Sequence, residues 1–267
     1  MNKLKVILSY LLGFILSVSI SVLCLLLILK FGIFNKNYLL DLLKTNNYYE
    51  SINNSIKEDI EDYMTSSGLP NSVMDEVFSL NDVEKDINGY IDSLYEGKVY
   101  NVDTTVFEDK LKNNINEYVK SLNLGIDNTD ELDLFIKDTA DIYTKEVKLY
   151  NMLDGLANKY LKFSHILSCV LIGVCVIVGV FSILIIIFNK INIGSCIMSS
   201  GIIMILFRLF IFDRIDSDNI LIISEYFSKI FKCVMNNINN LLLIIGIVLM
   251  VVGFVITFVK IPCKKRG

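Results

Sequence analysis

Residues 163–188 read FSHILSCVLIGVCVIVGVFSILIIIF, a run without a single Lys, Arg, Asp or Glu. A helix needs about 20 consecutive apolar residues to cross the hydrocarbon core of a bilayer, and this stretch exceeds that length. The chain before it, Thr129 to Lys162, is polar but keeps helical spacing. Leu132, Ile136, Ala140, Tyr143, Val147, Tyr150, Leu153 and Ala157 step by three or four and lay one apolar stripe along it. No Pro separates the two halves, and only Gly155 weakens helix there. The pattern predicts one rod from Asn128 to Phe188, rising out of the membrane with a water-facing domain at its upper end.

Three further apolar runs accompany it: Val6 to about Leu29, Gly194 to Phe212, and Leu241 to Val259. With 53% apolar residues and a positive mean hydropathy of +0.54, the composition fits a polytopic membrane protein better than a water-soluble domain. The first run follows Lys3 and Lys5, as a secretory signal would. It is too long for a signal core and lacks a small-residue cleavage site, so it reads as an uncleaved span. The predicted fold class is an all-α membrane protein, four transmembrane helices with a helical-bundle extracytoplasmic domain between the first and second. The chain then divides into a first span (1–34), an acidic all-helical extracytoplasmic domain (35–162) and a second span (163–188). A short cytoplasmic turn with the third span (189–212), an amphipathic extracytoplasmic helix (213–240) and the fourth span with a basic cytoplasmic tail (241–267) complete it.

Within 35–162 the apolar residues mark successive helices. Tyr49, Ile52, Ile56, Ile60 and Met64 form one stripe, stopped by Gly68 and Pro70. A short helix is expected from about Ser72, and then stripes at Val83, Ile87, Ile91 and Leu94 and at Phe107, Leu111, Ile115, Tyr118, Val119 and Leu122. Asn81 with Glu84, Thr105 with Glu108, and Asn128 with Glu131 have capping-box spacing. Only Val99–Val102 alternates weakly in the manner of a strand. In 213–240, Ile223, Phe227, Ile230, Phe231, Val234 and Ile238 mark an amphipathic helix. Its few cations favour docking on the first domain over lying on lipid.

Charge and cysteine usage narrow the classes. Between Asn35 and Lys162 carboxylates outnumber lysines about two to one and there is no Arg, which argues against a nucleic-acid surface. The same segment has no Cys, so no disulfide framework holds it and it depends on its own apolar core. Richness in Asn, Ile and Lys with no Trp suggests a low-GC bacterial source. Four spans put both termini on one side, and Lys3, Lys5 and Lys264 to Arg266 place that side in the cytoplasm of a multi-pass protein of the cell membrane. Arg214, Lys229 and Lys232 run against the bias.

In the first span Ser9, Gly13, Ser17 and Ser21 recur every four residues, a face that another helix can approach closely. Packing against a later span is the preferred reading, a seam between two copies the other. Gly246 and Gly253 are helix-packing candidates in the fourth span. Arg208, in MILFRLFIF, is the formal charge inside an apolar run; about one turn from Asp213, it is placed to snorkel to water. His165 is the only histidine and has no carboxylate near it in sequence, which fits an interface residue better than a catalyst. Glu58, Asp59, Glu61 and Asp62 read as a solvated helix face. Asp127, Asp130, Glu131 and Asp133 surround a helix start, where carboxylates suit the dipole. No catalytic, cofactor or metal-ligand motif stands out. Asn53-Asn54-Ser55 matches a glycosylation acceptor and Cys263 lies beside basic residues, neither meaningful in a bacterium.

These features predict a non-enzymatic membrane protein whose helical outer domain serves partner binding, assembly or sensing. Its expected partners are the lipid bilayer and a membrane or extracytoplasmic protein, a second copy included, and no nucleic acid. The arrangement of four spans, a large first outer loop, a smaller second one and cytoplasmic termini resembles the cell-division permease of the ABC-transporter superfamily. That resemblance lies in topology and implies, as the alternative, a transport-related permease subunit. The turn Asn189–Asn192 is shorter than an ATPase-coupling helix, and the outer domain lacks clear strands, so the chain departs from that pattern. An intramembrane enzyme would have only His165 and Arg208 to draw on.

Overall fold

The computed structural model describes residues 3–123, 129–148, 154–188, 192–211 and 225–258. In chain order these form α1 (Lys3–Phe31), α2 (Lys36–Thr45), α3 (Tyr48–Ser66), α4 (Leu80–Glu96), α5 (Thr105–Ser121), α6 (Thr129–Val147), α7 (Asp154–Phe188), α8 (Ile193–Ile211) and α9 (Glu225–Phe258). One 3₁₀ turn, Asn71–Met74, stands where the short helix after Pro70 was expected. Among the described residues there is no strand, and Val99–Val102 is irregular chain. Among the described residues four helices are long and apolar enough to cross a membrane: Ile7–Phe31, Lys159–Ile187, Ile193–Phe210 and Ser228–Phe258. The chain separates into an apolar unit (1–35, 164–222 and 231–267) and a polar unit (36–163 and 223–230).

The polar unit is built on α3. Ile52, Ile56, Ile60 and Met64 are fully buried, and so are Val83 and Ile87 of α4 and Leu111 of α5. From α6, Ile136, Ala140, Tyr143 and Val147 join them. Burial of each large apolar side chain contributes about 1.5–3 kcal/mol, so stripes of this length form a core without cross-links. Tyr63 of α3 stacks on Phe135 of α6 with centroids 5.0 Å apart, and its hydroxyl donates to Asp138. Two caps lie slightly upstream of their expected positions. Ser79 and Asp82 form the capping box of α4, each side chain bonding the other's backbone N–H, because the helix already begins at Leu80. Thr104 rather than Thr105 is the N-cap of α5, with Asp103 accepting from the Thr105 N–H. Gly97 closes α4 at φ 67°, a left-handed turn that favours glycine.

In the apolar unit α1 and α8 run parallel, since Ser21 donates to the Ser200 carbonyl at 3.1 Å while Ser17 meets Cys196 one turn earlier on both helices. Leu16, Ile185 and Cys196 form one buried cluster; Ile28, Met204, Ile238 and Leu242 form another. Large apolar residues elsewhere are exposed, among them Ile172, Val176, Ile183 and Ile187 on α7 and Val251 and Phe254 on α9. An apolar surface of that extent is a lipid-facing surface.

One boundary differs from the sequence reading. Of the rod read from Asn128 to Phe188, the described parts are helical: α6 through Val147, followed by the turn residue Lys148, and α7 from Asp154. Asn128 and residues 149–153, on which an unbroken rod depends, lie outside the described residues. The amphipathic segment and the fourth span, read as separate elements, belong to one helix: α9 runs unbroken through Asn236–Asn240 to Phe258. The sequence NNINN there is polar but holds no Pro or Gly to stop a helix. Val234 and Ile238 of that segment pack on Ile28 and Met204 in the apolar unit. At 34 residues and 1.5 Å per residue, α9 is about 51 Å long, against roughly 30 Å of hydrocarbon.

Candidate functional site

In the polar unit a cleft of about 250 Å³ opens between α4, α6, the start of α5 and the loop after Gly97. Helical spacing sets its first wall: Asp82 and Asp86, four residues apart on α4, share one face. Opposite lie Tyr100, Asn101 and Asp103 of the loop, and Phe78, Phe107 and Tyr143 form the floor. The three rings pack on one another with centroids 5.3–6.0 Å apart. Glu76, at φ 59°, turns the chain just before Phe78, and Asn114 holds that turn by donating to the carbonyls of Val73 and Asp75, both at 2.9 Å.

Asp86 is the centre of the cleft. Tyr143 donates to one carboxylate oxygen at 2.7 Å and Tyr100 to the other at 3.0 Å. Hydrogen bonds to a charged acceptor are the stronger kind, and two of them fix the carboxylate in orientation. Burial pushes the Tyr143 hydroxyl well above the ordinary tyrosine range, with the bond to Asp86 and its charge adding to the shift. Tyr100 is pushed up to about 12, by burial first and then by Asp86. Both remain protonated donors at neutral pH. Gly89 makes this possible: a methyl group at that position would lie 2.7 Å from the Tyr100 ring and hydroxyl, so any larger residue displaces the tyrosine from Asp86. In the sequence Tyr143 and Phe107 stood out only as members of apolar stripes, and Asp86, Tyr100 and Gly89 not at all. The available signal was the Asp82/Asp86 pair at helical spacing followed by two tyrosines, which many solvated helices share.

The packing candidates occupy the apolar unit. Ser9, Gly13, Ser17 and Ser21 are all buried on α1, and Ser17 and Ser21 also donate to the carbonyls of Gly13 and Ser17. Gly246 and Gly253 lie against Gly201 and Gly194 of α8, which the sequence reading did not select. A methyl group on Gly201 would be 2.5 Å from the Gly246 carbonyl oxygen, and one on Gly253 would be 2.6 Å from that of Gly194. The two glycines of α8 are seven residues apart and so are those of α9, so the antiparallel helices touch backbone to backbone two turns apart. That heptad spacing was the missed signal. Arg208 donates through Nε to Asn239 Oδ1 of α9 at 2.9 Å; Asp213, its expected route to water, lies outside the described residues. Lys30, at the end of α1, donates to Ser168 of α7 at 3.2 Å.

The remaining candidates do not converge. His165 is exposed on α7, and Glu58, Asp59, Glu61 and Asp62 are exposed on α3. Asp133 pairs with Lys112 at 2.6 Å, and Asp127 lies outside the described residues. Among the described residues no group of three or more His, Cys, Asp or Glu is placed to hold a metal. A further concavity, about 460 Å³, is an open groove between α1 and α8 whose walls include the exposed Phe14 and Ile202. No family model matches the chain, and neither a curated protein nor a solved structure is significantly similar to it. The secondary structure of the described residues is helical throughout, and the four long apolar helices are those of a multi-pass integral membrane protein.

Proposed function

We propose that this protein is held in the cell membrane with both termini in the cytoplasm, and that its polar unit, outside the cytoplasm, binds a membrane or extracytoplasmic protein without catalysing a reaction. The observation that carries this reading is the preformed cleft around Asp86. Its tyrosines sit far above neutrality and serve to orient a carboxylate. A general acid or base works best with a pKa near the operating pH, so these groups suit recognition better than proton exchange. The glycine contacts between α8 and α9 add to it: helices that meet backbone to backbone form a rigid anchor and leave no room for a solute between them. The permease alternative draws no comparable support from the geometry.

Crosslinking in living cells tests the proposal. A photo-reactive residue at Val106 or Leu134, both exposed on the polar unit, is expected to capture the same protein in repeated experiments. A topology reporter fused after Gly97 is expected to be active only outside the cytoplasm. A cytosolic reporter, or a polar unit that captures no protein from any face, removes the proposal.

A further inference from the structure

The cleft also limits what the partner presents to it. We infer that it receives a basic side chain of the partner, the ammonium of a lysine or the guanidinium of an arginine; this rests on the partner-binding reading above.

Three carboxylates line the cleft, Asp82, Asp86 and Asp103, against two lysines, Lys85 and Lys110. Of the lysines, Lys110 donates to the Glu76 carbonyl at 3.0 Å, and Lys85 is an exposed residue of the α4 wall. Asp82 is taken up by its capping box with Ser79. Asp86 differs. An ionised carboxylate has about four lone-pair sites, and the two tyrosine hydroxyls fill one on each oxygen. The remaining sites belong to a half-buried anion whose orientation is fixed before any ligand arrives.

The floor suits the same ligand. Phe78 and Tyr143 bring ring systems beside the carboxylate, and cations are drawn to aromatic faces. At about 250 Å³ the cleft is below the roughly 300–1,000 Å³ of pockets for drug-sized ligands and matches one long side chain. Its lining includes Val106, 63% exposed, at the start of α5. Arginine is among the residues enriched at the energetic centres of protein interfaces. The two-to-one acidic excess of residues 35–162 draws a basic surface toward it from a distance.

Two blocked peptides that differ in one charge provide the test: Gly-Leu-Arg-Leu-Gly and its citrulline analogue, titrated by ligand-observed NMR into the full-length protein in detergent. The arginine peptide is expected to bind at least about tenfold more tightly, the factor that a hydrogen bond to a charged group gives. Asp86→Asn is expected to abolish that preference, whereas Asp62→Asn, an exposed carboxylate on α3, keeps it. Should Asp86→Asn fail to fold, Asp103→Asn at the exposed edge serves instead, with an expected two- to fivefold loss. Equal binding of the two peptides overturns the inference, as does a preference that survives both substitutions in the cleft. Crosslinking from Val106 separates this from the broader reading. A protein captured equally by wild type and Asp86→Asn leaves partner binding standing and sinks the basic anchor. An arginine preference with no protein captured from any face retains the anchor and removes the protein partner.

Discussion

The two units reach close packing by opposite means. In the polar unit large side chains fill the space between helices: Ile56, Ile60, Met64 and Leu111 are wholly buried, and rings from three segments meet at Phe78, Phe107 and Tyr143. In the apolar unit most large side chains are exposed, and beside the two buried clusters around Leu16 and Met204 the helices touch through small residues: Ser17, Ser21 and Ser200, Gly194 and Gly253, Gly201 and Gly246. The surrounding medium explains the contrast. Water drives apolar side chains together, so a helix in water gains stability by burying its bulk. Lipid is as apolar as leucine and supplies no such drive, so helices there gain by close approach and by interhelical hydrogen bonds.

That contrast is open to direct attack, and the largest effect is expected at the glycine seam. Gly201→Val places carbon atoms against the Gly246 carbonyl, which is backbone and cannot swing aside. It should abolish the packed apolar unit, seen as lost protease resistance of the spans in detergent. A well-folded variant would show that the seam is not a close contact. The opposite change belongs to the polar unit: Ile56→Ala empties a fully buried site and should cost about 2–5 kcal/mol, read from the thermal or denaturant midpoint of that unit. A loss below 1 kcal/mol would mean the core is not organised on α3.

Alkaline titration sharpens the comparison further, since the tyrosines with raised values lie in the polar unit. Tyr49, through burial and then the charge of Glu84, and Tyr100, through burial and then Asp86, are both raised to about 12. An unfolded tyrosine releases its proton near pH 10. Between about pH 10 and 12 the unfolded chain therefore binds fewer protons than the folded one, and stability falls as pH rises. Stability should be flat on this account below about pH 9, and tyrosinate absorbance should appear late for these residues. Absorbance from every tyrosine at pH 10 would contradict the buried placement. A smaller effect, about 0.6 kcal/mol, is expected of Ser21→Ala, which removes the hydrogen bond to α8 but leaves the small face intact. The smallest change should have the opposite sign. Tyr48 is 2% exposed and its hydroxyl has no partner among the described residues, so Tyr48→Phe should leave stability unchanged or raise it slightly.

Much of this architecture was legible in one dimension. Length and the absence of charge are enough to mark four bilayer-crossing helices, because hydrocarbon thickness is a fixed ruler. A period of three to four is enough to say that Ile52, Ile56, Ile60 and Met64 face one core, whatever else packs there. The helix boundaries were less secure. The polar run NNINN looked like the end of an element, yet helix passes through it, since polarity alone does not break a backbone that retains its hydrogen bonds.

What the tertiary structure decided is which faces meet and which side chains share a site. Gly201 and Gly246 lie 45 positions apart, and nothing in either neighbourhood tells that their backbones touch; that follows from the crossing of two antiparallel helices. Asp86, Tyr100 and Tyr143 come from a helix, a loop and another helix, and Gly89 matters only because the Tyr100 ring lies across it. Local sequence fixes periodicity and burial tendency because those depend on neighbours three or four residues away. Contacts between distant segments depend on the packed shape of the whole unit, which is why the candidate site emerged only there.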